Sequence, residues 1–490
     1  MESRSSTEVR ERKINLSRLA FMFTGLILFT IVCLSPAWPD AVDPMGKHFA
    51  LSAEAKAALG IFLLAGIWWV FEVVPIGVTS LIIGMLQVLF LVRPAKEAFG
   101  DMFSPSVVFI FASIVIGMVF TKTGLTKRLA YKMLSIVGER TSMIYLGTFV
   151  VTAALTHIMA HTAVAATMFP LLMAIYSHYD EGDTPTKFGK GLFIGMAYVA
   201  GAGSIITLLG AARAAVALGF YKEIVGREVG FFELSFYMFP IGWIMVFVLW
   251  GFCMVFLKPE KSSIPGLKQR AVELNKELGR FNTKEILALA IVLGCVALLG
   301  ARSFIPFLKP VDKSAIILGS TVLFFIVNIL DIDDLEAIPW NIILLFGGAM
   351  SIGLCLWETG AAQWLAIKWL TFFTDASSTV FILAIAFFVM MMTNFIMNVA
   401  AIAISIPVAL VIAPYLSVAA EVIVFASLVA AGMPFLLLVG AAPNAIAYES
   451  KQFKSSEFFL YGVPASVLLM LLILLAVAVV WPLMGMPIRV

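Results

Sequence analysis

The chain is a succession of long apolar runs, two of which are interrupted in the same way. Residues 155–170 read LTHIMAHTAVAATMFP and residues 393–407 read TNFIMNVAAIAISIP. Each run breaks at a triplet, Ala160-His161-Thr162 or Met397-Asn398-Val399, and continues through small residues. Each then reaches a proline nine residues after the central polar position. Backbone freed from a helix inside a bilayer is tolerated only where it lines a cavity or is buried in protein. Matching interruptions in two halves of a hydrophobic chain therefore point to a ligand site between them.

The other runs set these breaks within a longer repeat. Apolar stretches at 18–37, 54–73 and 76–93 predict three spans, the last two separated by Glu72 and Pro75. Residues 103–117 form a run entered through Pro105. Residues 122–134 place Lys127, Arg128 and Lys132 beside apolar positions at helical spacing, the pattern of a helix lying in the membrane interface. Residues 141–159 enter the first break and 163–176 leave it. A glycine- and alanine-rich run, 191–220, carries Arg213 towards its C-terminal end, and 234–257 closes the first half. The plan recurs at 286–304, 314–330, 338–353 and 358–370, then into and out of the second break at 379–396 and 400–414, then at 425–450. Pro339 answers Pro105, Gly360 answers Gly124 and Asn398 answers His161, at separations of 234, 236 and 237 residues.

Residues 258–285 are hydrophilic and hold Lys258, Lys261, Lys268, Arg270, Lys276, Arg280 and Lys284. The positive-inside rule makes this stretch a cytoplasmic linker. The chain divides into an N-terminal segment with the first span (1–53), a first repeat (54–257), the linker (258–285), a second repeat (286–456) and a last span with the C-terminus (457–490). One unpaired first span and one linker make the repeats inverted in the membrane, with a cytoplasmic N-terminus and the C-terminus outside.

Composition agrees with an all-α polytopic membrane protein. Of 490 residues, 61% are hydrophobic and 13% charged, against about 25% charged in soluble proteins. The formal charge of +3 gives no reason to expect a nucleic-acid partner. Cys33, Cys253, Cys295 and Cys355 fall in apolar runs without paired spacing, which predicts free thiols and no metal cluster. The first apolar run is too long for a signal peptide and lacks a small-residue cleavage site, so it is expected to remain as a span.

Chemistry concentrates near the breaks. His161 is ionisable within an apolar run, which makes it a candidate proton carrier, cation or hydrogen-bonding group. His157 stands four residues earlier, but Ile158, Met159 and Ala160 between them supply no carboxylate, so the zinc-hydrolase motif is absent. Arg213 lies among alanines, where a charge is costly unless paired or serving an anion, and a guanidinium matches carboxylate, sulfonate or sulfate oxygens. Thr162 and Asn398 can donate or accept hydrogen bonds. Helix ends at the breaks favour an anion, and freed carbonyls can hold Na⁺. No nucleophile–base pair stands out, so an enzyme is not expected.

The chain resembles the divalent anion:sodium symporter family. The resemblance rests on Trp68-Trp69 with Glu72 and Pro75, the hairpin stretch LLFGGAMSIG (344–353), both break-to-proline segments, and GAAPNAIAYES (440–450). It implies about eleven spans, two re-entrant hairpins, an interface-helix frame, and a homodimer working by an elevator motion. It also implies a dicarboxylate, tricarboxylate or sulfate as substrate with Na⁺ as coupling ion; Arg213 adds a sulfonate and His161 adds H⁺ to these expectations, and no organic cofactor is expected. Carried onto this sequence, the substrate-binding positions are His161, Thr162, Arg213, Asn398, Val399 and Pro443. The cation-binding positions are Ala160, Gly210, Met397, Asn398 and Asn444.

Two departures stand out. The family's Ser-Asn-Thr tips retain only Thr162 and Asn398. Its Thr-Pro-Pro-Asn segments appear as Ala211-Ala212-Arg213-Ala214 and Ala441-Ala442-Pro443-Asn444. The first cation site is thus expected to be altered, with coupling reduced in Na⁺, proton-linked or replaced by anion exchange. The reading from another class is a non-transporting membrane sensor or complex subunit.

Overall fold

The computed structural model describes residues 16–43, 46–179, 185–302, 304–370 and 377–489. Helices dominate because hydrocarbon offers the backbone no hydrogen bonds, and a helix satisfies them within one segment. A two-residue antiparallel ladder, Ala41–Val42 with His48–Phe49, is the extended exception.

The first half runs α1 (Leu16–Leu34), α2 (Ala53–Val70), α3 (Ile76–Leu89), the short α4 (Ala95–Gly100), α5 (Pro105–Thr123), α6 (Leu125–Val137), α7 (Thr141–Leu155), α8 (His161–Tyr179), α9 (Lys187–Gly203), α10 (Ala212–Val225) and α11 (Phe231–Phe256). The linker folds as α12 (Leu267–Glu277). The second half runs α13 (Thr283–Ala301), α14 (Lys313–Ile326), the short α15 (Ile332–Glu336), α16 (Trp340–Glu358), α17 (Ala361–Leu370), α18 (Ser378–Phe395), α19 (Asn398–Ile412), α20 (Ala420–Ala431), α21 (Ala442–Tyr448) and α22 (Ser455–Leu475). Local chemistry sets many of these ends. Ser52, Thr186, Asn282, Asp312 and Ser377 accept first-turn N–H groups as N-caps. Gly124 and Gly360, at φ 82° and 80°, turn the chain from α5 into α6 and from α16 into α17.

Contacts come in exchanged pairs. α3 packs on α16 while α14 packs on α5; α7 packs on α9 while α18 packs on α20; α10 meets α19 while α21 meets α8; α11 meets α9 while α22 meets α20. This is the pattern of two similar units facing one another.

Polar anchors show which ends share a side. Thr141 donates to the carbonyls of Ser262 and Lys261 at 3.0 and 2.8 Å, and the Tyr179 hydroxyl donates to Glu260 at 2.9 Å. Both ends of the α7–α8 pair therefore sit on the linker side, and the pair is re-entrant. The α18–α19 pair belongs to the far side: Tyr415 donates to Asp43 at 3.3 Å and the Ala419 N–H to the Ile488 carbonyl at 3.1 Å. α6 packs on α12, whereas Trp364 and Lys368 of α17 donate to the carbonyls of Pro39 and Asp40.

Following these anchors, the described chain passes between sides on α1, α2, α3, α5, α9 with α10, α11, α13, α14, α16, α20 with α21, and α22. Among the described residues, eight helices are long and apolar enough to cross a membrane alone; six of them carry these passes, and the other two are α18 and α19 of the far-side pair. The remaining passes are shorter or broken.

Two expectations need correction. Residues 344–353 form no hairpin; they lie within α16, whose Gly347 and Gly348 admit Met102 and Ser80 at close range. Residues 191–220 are not one run. The helix unwinds over 204–211, so Arg213 stands at the start of α10 rather than near the end of a helix.

In a Cys33→Ser background, an impermeant thiol reagent should reach Ser177→Cys only from the side that labels Lys276→Cys. It should reach Ser417→Cys only from the opposite side. Labelling of both hairpin bases from one side would refute the two re-entrant directions.

Candidate functional site

Four helix interruptions meet at one place. α7 ends at Leu155 and α8 begins at His161; α18 ends at Phe395 and α19 begins at Asn398. The segments 204–211 and 432–441 separate α9 from α10 and α20 from α21. Together these breaks border a cavity of about 1040 Å³. Its mouth holds Glu72, Lys122, Lys127 and Asp334. Lys122 bridges to Asp331 at 2.9 Å and to Asp334, tying the end of α5 to α15. The mouth lies on the linker side, beside α6.

Of the sequence candidates, Ala160, His161, Thr162, Arg213, Met397, Asn398 and Val399 line this cavity. Gly210, Pro443 and Asn444 stand behind it. The Gly210 carbonyl accepts the His161 N–H at 3.1 Å, so one oxygen freed by the first break is already engaged by the hairpin tip. Asn444 donates from Nδ2 to the carbonyls of Pro434 and Leu437 at 2.8 and 3.1 Å, which braces the second break.

Arg213 is 2% exposed. Its Nη2 donates to the Ser204 hydroxyl at 2.7 Å, and its Nη1 has no protein partner. Among the described residues no carboxylate pairs with it. Arg213 also sits in the first turn of α10, where the helix end is itself positive. The nearest relief comes from the end of α20. A side chain at Gly432 would stand 2.8 Å from Nη2, so the guanidinium lies against the backbone at a negative helix end. Glycine is required at Gly201 as well, because a Cβ there would meet the Gly432 carbonyl at 2.6 Å.

Two more polar atoms are idle. Neither Nδ1 of His161 nor Nδ2 of Asn398 has a partner, and Asn398 is 6% exposed. Buried polar groups are nearly always paired, so several idle polar atoms around one cavity make it a candidate ligand site. His157 lies apart from the cavity. Its ring packs edge-on against Trp243 at 5.7 Å, and its carbonyl accepts from Thr207 at 2.7 Å.

Asn394, Ser204 and Thr207 escaped the sequence reading. The Asn394 Oδ1 accepts the N–H groups of Leu436 and Leu437 at 2.8 and 3.3 Å, and its Nδ2 donates to the Met390 carbonyl at 2.7 Å. It stitches the second hairpin to the second break. The available signal was an amide in the same apolar run as Asn398.

Comparison with known proteins finds relatives along nearly the whole chain. A family profile described as "Sodium:sulfate symporter transmembrane region" matches residues 21–487. The sodium-dependent dicarboxylate transporter SdcS of Staphylococcus saprophyticus is 24% identical over 495 residues, covering 96% of this chain and 93% of the relative. SdcS of Staphylococcus aureus strain NCTC 8325 is 24% identical, covering 86% and 85%. Among solved structures, the Alcanivorax borkumensis YdaH transporter shares the fold at a TM-score of 0.55 and 12% identity, covering 97% and 99%. Neisseria gonorrhoeae MtrF, described as representing a class of antimetabolite efflux pumps, does so at 0.53 and 13%, covering 94% and 93%.

Replacing Asn394 by Ala leaves the N–H groups of Leu436 and Leu437 without their side-chain acceptor in a part-buried setting. The unfolding free energy should fall by about 1–3 kcal/mol, read as a lower thermal transition of the purified protein. Thr24→Ala, which removes an exposed hydroxyl bonded only to Ala20, should stay within about 0.5 kcal/mol. Equal transitions for the two variants would refute the brace.

Proposed function

The chain belongs to the sodium:sulfate symporter transmembrane region family, and from that premise we propose that it is a secondary transporter of a small anion, with Arg213 standing where a relative would place its first coupling cation. The observation that carries this reading is the unpaired guanidinium at the cavity wall. A buried charge left without a partner is strongly destabilising. A bound anion removes that penalty, helped by the positive ends of α8, α10 and α19. Relatives named sodium-dependent dicarboxylate transporters support an anionic substrate.

Coupling follows from the same residue. Two unit charges 4 Å apart repel by about 4 kcal/mol at an effective dielectric of about 20, so a Na⁺ placed beside Arg213 is disfavoured. The Gly210 carbonyl that could serve it is already engaged. The second half keeps Asn398 at the cavity, the Met397 backbone, and the Oδ1 of Asn444. A single Na⁺ there, contacting no group from the first break, is the coupling ion of this reading. Arg213 cannot leave with the substrate, which favours anion exchange as the second reading.

The positively charged linker makes its side cytoplasmic, so the cavity opens inward, with the N-terminus inside and the C-terminus outside. The two hairpins with α9, α10, α20 and α21 form the moving unit against a frame that includes α5 and α16. One asymmetry supports alternating positions. α10 packs on both α5 and α16, while its counterpart α21 makes no comparable contact with either. A homodimer of such frames completes the reading.

Proteoliposomes loaded under a Na⁺ gradient, a proton gradient or internal counter-anion test it. Accumulation should depend on Na⁺ with a Hill coefficient near 1, or proceed by exchange without Na⁺. Arg213→Gln should lower the initial rate at least 30-fold in either mode. Steep Na⁺ dependence with an unaffected Arg213→Gln variant would overturn the role of Arg213. Absence of uptake in every mode would favour a sensor or complex subunit.

A further inference from the structure

The two faces of the cavity are chemically unequal. The first half contributes Arg213, His161 and Thr162, a cluster of polar residues on the neighbouring starts of α8 and α10. At the corresponding places the second half contributes Val399 where the first has Thr162, and Met397 where the first has Ala160. Across from Ala211-Ala212-Arg213 it presents Ala441 and Ala442, with Pro443 turned away from the cavity. Beside them Leu438 and Val439 border the space, Val439 being 68% exposed. Asn398 is the one polar side chain that the second hairpin tip and the 432–441 break bring to the cavity, Asp334 standing apart at the mouth.

Charge is as lopsided as polarity. Arg213 is the one charged side chain among the cavity residues that belong to the four breaks. The other charges that border the space, Glu72, Lys122, Lys127 and Asp334, sit at the mouth, and Lys122 and Asp334 satisfy each other there. One guanidinium without a carboxylate is balanced by one negative charge. A second carboxylate at the far end of a ligand would meet Val399, Val439, Ala441 and Ala442. Against that surface it would find Asn398 at best, and an ion pressed onto apolar side chains without partners is disfavoured. An apolar body against the same surface gains about 0.8 kcal/mol for each methylene buried.

We propose that the preferred ligand is an amphiphilic monoanion: one carboxylate or sulfonate head held by Arg213, His161 and Asn398, with an apolar body of several carbons lying against Val399, Leu438, Val439, Ala441 and Ala442. This inference rests on the anion-transport reading above and narrows its substrate class. It departs from the dicarboxylate named for the relatives. Thr162 completes the head site from the first turn of α8. The body runs from the head toward the second hairpin, so its length is read by the second half while its charge is read by the first.

Equilibrium binding to the full-length protein in nanodiscs tests this with defined probes: ethane-, butane- and hexanesulfonate, succinate and sulfate. Alkanesulfonates stay ionised, so they do not cross or enter the bilayer as neutral acids. Affinity should rise about fourfold for each methylene that reaches the apolar wall, and butanesulfonate should bind at least tenfold tighter than succinate or sulfate. Arg213→Gln should abolish the binding of every sulfonate, which separates site binding from partition into lipid. Val399→Thr should improve succinate by several-fold and weaken hexanesulfonate, a reversal that a loss of folding cannot produce. Tighter binding of succinate or sulfate than of any sulfonate, with Val399→Thr moving neither, would overturn the proposal and leave anion transport standing. Failure of all five probes to bind the folded protein would count against the anion site itself.

Discussion

Hydrocarbon supplies no hydrogen bonds, so a helix broken inside it must find partners for the freed backbone elsewhere in the chain. Here the four breaks supply one another. The Gly210 carbonyl takes the N–H of His161, and the hydroxyl of Thr207 reaches the carbonyl of His157. The Asn394 amide holds the N–H groups of Leu436 and Leu437, while Asn444 holds the carbonyls of Pro434 and Leu437. Each hairpin tip is thereby fastened to the break of its own half. The cavity between them is a consequence of that fastening, because the helix starts that remain unfastened point into it.

The same constraint gives Arg213 its weight. A charged residue on a continuous helix within the membrane can snorkel to an interface or turn toward a partner on the next helix. At the first turn of α10, enclosed by Ser204 and Gly432, Arg213 has neither route. Its relief is divided between one hydroxyl, the negative end of α20, and whatever occupies the cavity. That dependence makes the occupant part of the stability of the site.

Much of this was legible in the sequence, for reasons that differ by element. The matched triplets and prolines announced the hairpins because small and polar residues in apolar runs are local signals. Gly124 and Gly360 stood out as a matched pair, and both take the positive φ that turns the chain into α6 and α17. Membrane character followed from composition alone. The unwinding over 204–211 was not legible. Ser204-Ile205-Ile206-Thr207-Leu208-Leu209-Gly210 is as helix-permissive as its flanks, and what opens it is tertiary. Gly201 lies against the Gly432 backbone, and Thr156 and Ser204 crowd Gly210. Missing that break misplaced Arg213 on its helix, although its residue type had already marked it. The reading of 344–353 as a hairpin failed in the opposite sense. Its glycines are there for the close passage of Ser80 and Met102 past an intact α16.

A cation built into the chain changes what an empty carrier costs. Where a coupling ion departs with its substrate, the vacated site loses its charge and can return across the membrane neutral. A guanidinium remains, and moving it unpaired through a low-dielectric interior leaves its desolvation unbalanced. On the proposed reading the anion-loaded site is the easier one to move, in both directions. The retained second half then decides between coupling modes. If Na⁺ binds there, it adds driving force to a carrier that is already poised to exchange. Arg213 therefore acts twice, once in holding the ligand and once in discouraging the return of an empty site.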